Sequence, residues 1–270
     1  MARILLTNDD GVRRPGLWLL HHVLWGLGDV VVVAPESMRS ATGMSLTLHK
    51  PLRIRQLRHQ GFKAYSVSGT PSDCVILAVN KIMRERPDIL VSGINEGENV
   101  SYQAIYGSGT VAAAIRAALL GIPSAAFSLD LPRRRPLDPA LLRARMAEAA
   151  RVAGAIVRYI LEEGLPEGVD YLNVNFPEDI SASTPIRITR VHTARYREVV
   201  DERRDPVNRP YYWIYGELLP GESFRPGTDV YAVFVEKAVS ISPMRVDAAA
   251  DVETYRLNRL VEYLSAGKHV

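Results

Sequence analysis

Short apolar runs rich in β-branched residues alternate along this chain with longer segments of helical periodicity, and that alternation restricts its fold more than any other feature. "RILLT" is followed by "GLWLLHHVLWGLG" and then "DVVVVAP", "KAYSVSG" by "TPSDCVILAVNKIM", and "PDILVSG" by "GTVAAAIRAALLG" and "IPSAAFS". Apolar runs bounded by turn residues read as buried strands, and strands separated by helices read as βαβ units in a parallel sheet. Thr70 stands where an N-cap belongs with Pro71 at the first helical position, and Gly121 closes the helix that begins near Gly109. "DPALLRARMAEAARVAGAIVRYILEEG" predicts one long helix capped at Asp138, with a further strand at "DYLNVNFP". The fold class expected is α/β, with a doubly wound, mostly parallel sheet.

From about Ser181 the pattern changes to short strands and prolines, then a dense aromatic hairpin, "RPYYWIYGELLPGESFRPG", then "VYAVFVEKAVSISP" and a final helix from about Ala248. The expected division is a catalytic core over residues 1–180 and a β-rich extension with a terminal helix over 181–270, serving oligomerisation and substrate access. Tyr211, Tyr212, Trp213, Ile214 and Tyr215 are consecutive, so their side chains alternate between two faces. Either the second face is a subunit contact or both faces are buried within the chain.

Composition removes several classes. The 270 residues are 47% hydrophobic and 23% charged, as in an ordinary globular protein. Met1 leads directly into "RILLT" without the pattern of a signal peptide, no apolar run reaches the roughly 20 residues of a membrane span, and one cysteine allows no internal disulfide. A cytoplasmic location is expected. A net charge of +3 with one tight cluster, Arg133-Arg134-Arg135 between Pro132 and Pro136, reads as a solvated loop and not as a nucleic-acid surface.

The chemistry concentrates at loops that follow strands. Asn8, Asp9 and Asp10 follow the first strand, "APESMRS" the second, "VSGT" the third and "SGINEGEN" the next, so four polar loops converge on the carboxyl edge where open α/β sheets bind ligands. Adjacent carboxylates raise each other's proton affinity unless a positive charge lies between them. Taken alone, "DDG" reads as a turn. With the other loops its oxygen-only inventory suits magnesium, manganese or calcium better than zinc. "YGSGTVAAA" places small residues at a helix N-terminus, where backbone N–H groups receive a phosphate. Metal beside phosphate points to phosphoryl transfer to water. The competing reading is a dinucleotide-binding oxidoreductase or binding module. Gly107 to Ala112 satisfies G-x-G-x-x-A, with Asp130 about 20 residues on, although no strand runs directly into Gly107. No P-loop is present. Cys74 reads as a core thiol, His21 and His22 as mid-helix residues, and His192 as a weak candidate. Ser40 lacks the G-x-S-x-G elbow of a covalent nucleophile.

"ILLTNDDG", "VVVVAPESMRSATGMSLTL", "VSGTPSDCV", "SGINEGEN" and "SGTVAAAIRAALLGIPSAAFS" occur in an order and spacing that resembles the SurE survival-protein family over roughly the first 130 residues. The resemblance implies a Rossmann-like three-layer core and a metal-dependent phosphatase acting on nucleoside 5′- and 3′-monophosphates and, in some members, polyphosphate. It makes Asp9 and Asp10 acidic ligands of one divalent cation per subunit, magnesium or manganese, with the Ser40 hydroxyl and Asn95 amide as further ligands. Asp9 and Asp10 are also its catalytic residues, while Asn99, Ser108, Gly109 and Thr110 contact the phosphate. Homodimers or homotetramers with C-terminal exchange are implied too. This chain departs from the family pattern in one place, where Gly107 is inserted between Tyr106 and Ser108.

Overall fold

The computed structural model describes residues 1–131 and 137–249, together with Val261 and Ser265. In chain order the strands are β1 (Ala2–Thr7), β2 (Gly28–Pro35), β3 (Ile54–His59), β4 (Phe62–Val67), β5 (Ile89–Glu96), β6 (Ser124–Leu129), β7 (Tyr171–Phe176), β8 (Ile186–Ile188), β9 (Tyr196–Arg204), β10 (Pro210–Leu218) and β11 (Val239–Met244). The α-helices are α1 (Pro15–Leu24), α2 (Pro71–Leu77), α3 (Ser101–Gly107), α4 (Gly109–Leu119), α5 (Pro139–Glu163) and α6 (Asp229–Phe234). Nine strands form one sheet in the order β3-β4-β2-β1-β5-β6-β7-β11-β8. β4, β2, β1, β5, β6 and β7 run parallel, whereas β3 and β11 are antiparallel to β4 and β7.

Alternation along each strand divides the core into two apolar layers. Ile4, Leu6, Val32, Phe127 and Phe176 face α1 and α5. Leu5, Val33, Leu90 and Ala126 face α2 and α4. Each fully buried large apolar side chain contributes about 1.5–3 kcal/mol, so these layers supply most of the driving force. The α1–α5 contact is close: a Cβ on Gly154 would lie 2.2 Å from Val23 Cγ1. Helix starts follow the chemistry expected of them. Thr70 Oγ1 accepts from Asp73 N at 3.2 Å while Asp73 Oδ2 accepts from Thr70 N at 2.9 Å, a capping box that opens α2. Asp138 Oδ1 accepts from Ala140 N and Leu141 N at 2.9 and 3.1 Å to open α5.

Two elements differ from the sequence pattern. β3 is an edge strand with most residues exposed, so "IRQLRH" carries little of the apolar alternation that marks a half-buried strand. In "VYAVFVEKAVSISP" the first half is helical, because Thr228 caps it by accepting from Tyr231 N at 3.4 Å and Val230 and Val233 fall on one buried face. Beyond residue 180, β8 and β11 extend the main sheet, whereas β9 and β10 form a separate two-stranded ribbon. The Arg133-Arg134-Arg135 cluster and the expected terminal helix lie outside the described residues. Among the described residues no helix is long and apolar enough to cross a membrane.

Candidate active site at the switch point

From β1 the chain winds outward through β2 and β4, then returns to β5 on the other side of β1. The order therefore reverses between β1 and β5, the crevice where open α/β sheets bind ligands. Hydrogen bonding of β1 ends at Thr7, and Asp9 and Asp10 lie in the bend that follows. Adjacent side chains there are free of the alternation that would send them to opposite faces. Buried Asn8 closes the bend: its Oδ1 accepts from Gly11 N at 3.1 Å and its Nδ2 donates to Gly11 O at 3.1 Å.

Three segments are tied to this pair. Arg39 N donates to the Asp9 carbonyl oxygen at 2.7 Å, which places exposed Ser40 one residue from that tie. Glu96 N donates to Asp10 Oδ2 at 3.2 Å and brings in Asn95. The pairing of β5 with β6 shifts register between Ser92 and Asn95, where β5 leaves regular geometry. Asn95 Nδ2 donates to Gly97 O at 2.8 Å, a bond that does not engage its side-chain carbonyl oxygen. The Thr110 hydroxyl donates to Asp9 Oδ1 from the first turn of α4. Gly109 is required there, because a Cβ would lie 2.8 Å from Asp9 Cβ and 3.0 Å from Asp9 Oδ2. Ser108 is the N-cap of α4, accepting from Val111 N at 3.2 Å.

Both carboxylates are desolvated, with Asp9 4% and Asp10 8% exposed. Burial pushes the Asp9 carboxyl above the usual range, against the opposing Thr110 hydrogen bond. Burial, and then the neighbouring charge of Asp9, pushes Asp10 up to about 7. The charge of Arg14 opposes this weakly. Two buried carboxylates that the weak charge of Arg14 does not balance, beside hydroxyl and amide oxygens, form a donor set that fits a hard divalent ion. Among the described residues no group of three His, Cys, Asp or Glu is placed to hold a metal, so such an ion would depend on Ser and Asn oxygens as well as the two acids.

Asn99 is held from behind. Its N–H donates to Asn175 Oδ1 at 2.7 Å, its carbonyl oxygen accepts from Asn173 Nδ2 at 2.9 Å and Asn175 Nδ2 at 3.3 Å, and its Nδ2 donates to Ser128 Oγ at 2.7 Å. Sequence reasoning passed over these three partners. Their signal is two asparagines at period two inside an otherwise apolar strand.

The dinucleotide fingerprint lacks its context. α3 lies between β5 and Gly107, and Gly107 ends that helix with open space where a Cβ would be. Gly107 accepts from Gly43 N at 3.0 Å through its carbonyl, and the Ser108–Thr110 turn starts α4. Asp130 is half-buried and pushed up to about 6 by burial and the charge of Glu98. Cys74 is fully buried with its thiol pushed up by burial, as a core thiol would be. His192 is a structural tie: its N–H donates to Asp229 Oδ1 at 2.8 Å and its ring meets Phe224 edge-on.

An open, mostly parallel α/β sheet with helices on both faces, and with buried carboxylates and a helix N-terminus at its switch point, defines a three-layer, doubly wound α/β protein. Residues 4–198 match the family model described as Survival protein SurE, and the chain belongs to that family. It is 43% identical over 261 residues to the 5′-nucleotidase SurE of Methanocella arvoryzae, covering 96% of this chain and 97% of that one. It is 44% identical over 272 residues to the 5′-nucleotidase SurE of Thermococcus gammatolerans, covering 98% and 99%. The crystal structure of the SurE protein from Aquifex aeolicus superposes with a TM-score of 0.78 at 38% identity, covering 97% of this chain and 99% of that one.

Proposed function

We propose that this phosphoric monoester hydrolase, a 5′-nucleotidase like the relatives it matches end to end, binds one divalent cation, magnesium or manganese, through Asp9, Asp10, Ser40 Oγ and Asn95 Oδ1. The observation that carries this reading is the buried Asp9-Asp10 pair at the switch point, whose carboxyls stay raised despite the weak opposing charge of Arg14. When bound, such an ion polarises a phosphoryl oxygen and acidifies water. The protein's own groups do the rest. Ser108, Gly109 and Thr110 receive the phosphate at the N-terminus of α4, where N–H groups stabilise developing negative charge. Asn99 donates to it from the loop after β5, and a carboxylate of Asp9 or Asp10 accepts the proton of the attacking water. Nucleoside 5′-monophosphates are the principal substrates, with 3′-monophosphates and polyphosphate as further ones.

The extension over residues 181–270 serves assembly and substrate access. Both faces of the β9–β10 ribbon carry exposed large apolar residues, which suits a homodimer or homotetramer. One buried, unpaired cysteine suits the cytoplasm.

The test is a phosphate-release screen of nucleoside monophosphates with manganese, magnesium or chelator. Release from 5′-monophosphates that chelator abolishes is the expected result. Release that survives full chelation removes the cation, and no release from any nucleotide removes the activity.

A further inference from the structure

β7 is buried along its whole length, in a part of a parallel sheet that ordinarily carries apolar side chains on both faces. Asn173 and Asn175 nevertheless occupy one of its faces, both fully buried. Asn173 Oδ1 has no hydrogen-bond partner among the described residues, and an unsatisfied buried polar group costs about 1–3 kcal/mol. A strand built only for stability would carry valine there. The donors of both asparagines converge on one atom, the carbonyl oxygen of Asn99, and Asn175 also accepts from the Asn99 N–H. From the neighbouring strand β6, the Oγ of buried Ser128 accepts a hydrogen bond from Asn99 Nδ2. Asn99 is thus gripped at its N–H, its carbonyl and its side chain by residues of two adjacent strands.

We propose that Ser128, Asn173 and Asn175 are positioning residues for phosphate recognition. They fix Asn99 so that the amide proton left over from the Ser128 bond is set for a phosphate oxygen before substrate arrives. An asparagine amide has two N–H donors, and Ser128 uses one. A donor already ordered binds its partner without the cost of immobilising it, and acts with most effect where charge develops. The unsatisfied Asn173 oxygen is then a stability cost kept for function, as strained or unpaired groups near sites often are. The inference rests on the assignment of Asn99 to phosphate under the proposed function.

The experiment compares full-length Ser128→Ala, Asn175→Asp and Asn99→Ala proteins with the unaltered chain. It measures KM and kcat for a nucleoside 5′-monophosphate, inhibition by inorganic phosphate, and the thermal shift produced by titrated manganese. Ser128→Ala removes one oxygen and is expected to weaken phosphate inhibition and raise KM about five- to tenfold, with the manganese titration unchanged. Asn175→Asp loses the donor to the Asn99 carbonyl and adds a charge beside it, and weakens phosphate further. Unchanged phosphate inhibition in Ser128→Ala and Asn175→Asp, when Asn99→Ala loses it, overturns the positioning role and leaves the Asn99 assignment standing. Unchanged inhibition in Asn99→Ala overturns that assignment, and this inference with it. Parallel loss of manganese response in Ser128→Ala also overturns the inference, because the whole site would then have shifted.

Discussion

The backbone N–H of Glu96 donates to Oδ2 of Asp10 at 3.2 Å and so joins the ends of β5 and β1 across the reversal of strand order. On the other side of the pair, the Thr110 hydroxyl of α4 donates to Asp9. Each carboxylate therefore receives a donor from a different part of the chain, and backbone N–H groups at the start of α4 also favour the ionised Asp9. Such bonds orient the two groups, yet the cost of burial still dominates and holds both carboxyls above the usual range. A divalent ion between them would offset that cost and lock three loops at once. This is why metal and phosphate are expected to stabilise the crevice together.

Asp9→Asn removes one of the buried charges and keeps an acceptor for Thr110. Phosphate release is expected to fall by at least about a thousandfold, as for loss of a group acting directly in chemistry. In chelator the variant should melt at or above the temperature of the unaltered protein, because a desolvated charge has gone. The upward shift in Tm with manganese should vanish, because ligand binding to the native state is its source. Fluorimetric melting with and without manganese checks both. An unchanged manganese shift would show that Asp9 holds no metal.

Gly107 and Gly109 make a contrasting pair two residues apart. A Cβ at 109 would press on Asp9 and lie 3.2 Å from Arg39 O, whereas a Cβ at 107 would meet nothing within 4 Å. Gly109→Ala is expected to lower kcat/KM at least about tenfold, with about 1–3 kcal/mol of lost stability from overpacking. Gly107→Ala should leave both nearly unchanged, which steady-state kinetics and urea unfolding would reveal. Equal damage from both would mean that Gly107 also shapes the Ser108–Thr110 turn.

What could be read from the sequence follows the range of the forces involved. Buried strands such as β1, β2 and β5 announce themselves because both faces are apolar, and the caps at Thr70 and Asp138 are local events within three residues. β3 was silent because most residues of this edge strand are exposed, so it carries little apolar alternation. α6 was hidden because Val230, Tyr231 and Val233 are residue types that favour strands, and tertiary burial overrode that preference. The departure of the chain from β geometry before Asp9 was foreseeable as a requirement, while its position at Thr7 was not. The grip on Asn99 joins it to Ser128, 29 positions on, and to two asparagines more than 70 positions on, so only the oddity of two asparagines in a buried strand hinted at it.

His21 sets a pH dependence far from the site. It is 1% exposed on α1 among Trp18, Trp25 and Phe62, and its Nδ1 has no partner among the described residues. Burial, then the charge of His22, lowers its pKa from 6.5 to about 4. Between these values the unfolded chain binds the proton and the folded chain does not. Stability is therefore complete above pH 6.5 and falls, by about 2–3 kcal/mol, as pH drops toward 4. His21→Phe fills the same aromatic pocket with nothing to protonate. Its Tm should decline less than that of the unaltered protein between pH 6.5 and 4.5, and parallel declines would exclude this source.

The ribbon of β9 and β10 offers a last expectation. All nine residues of β10 are exposed, with Trp213 at 59% and Ile214 at 77% on opposite faces. A two-stranded ribbon alone is marginal in water, and large apolar groups on both its faces stay exposed among the described residues, so they call for a cover. A second copy of the chain would bury them, at about 1.5–3 kcal/mol for each large side chain. Replacing both Trp213 and Ile214 by serine is then expected to weaken self-association by about a hundredfold or more. The nine-stranded sheet and its Tm at high dilution should be retained. Sedimentation velocity across a concentration series measures this directly. An assembly that survives the double replacement at the same concentrations would show that the subunits meet elsewhere and that the ribbon's aromatic faces serve another contact.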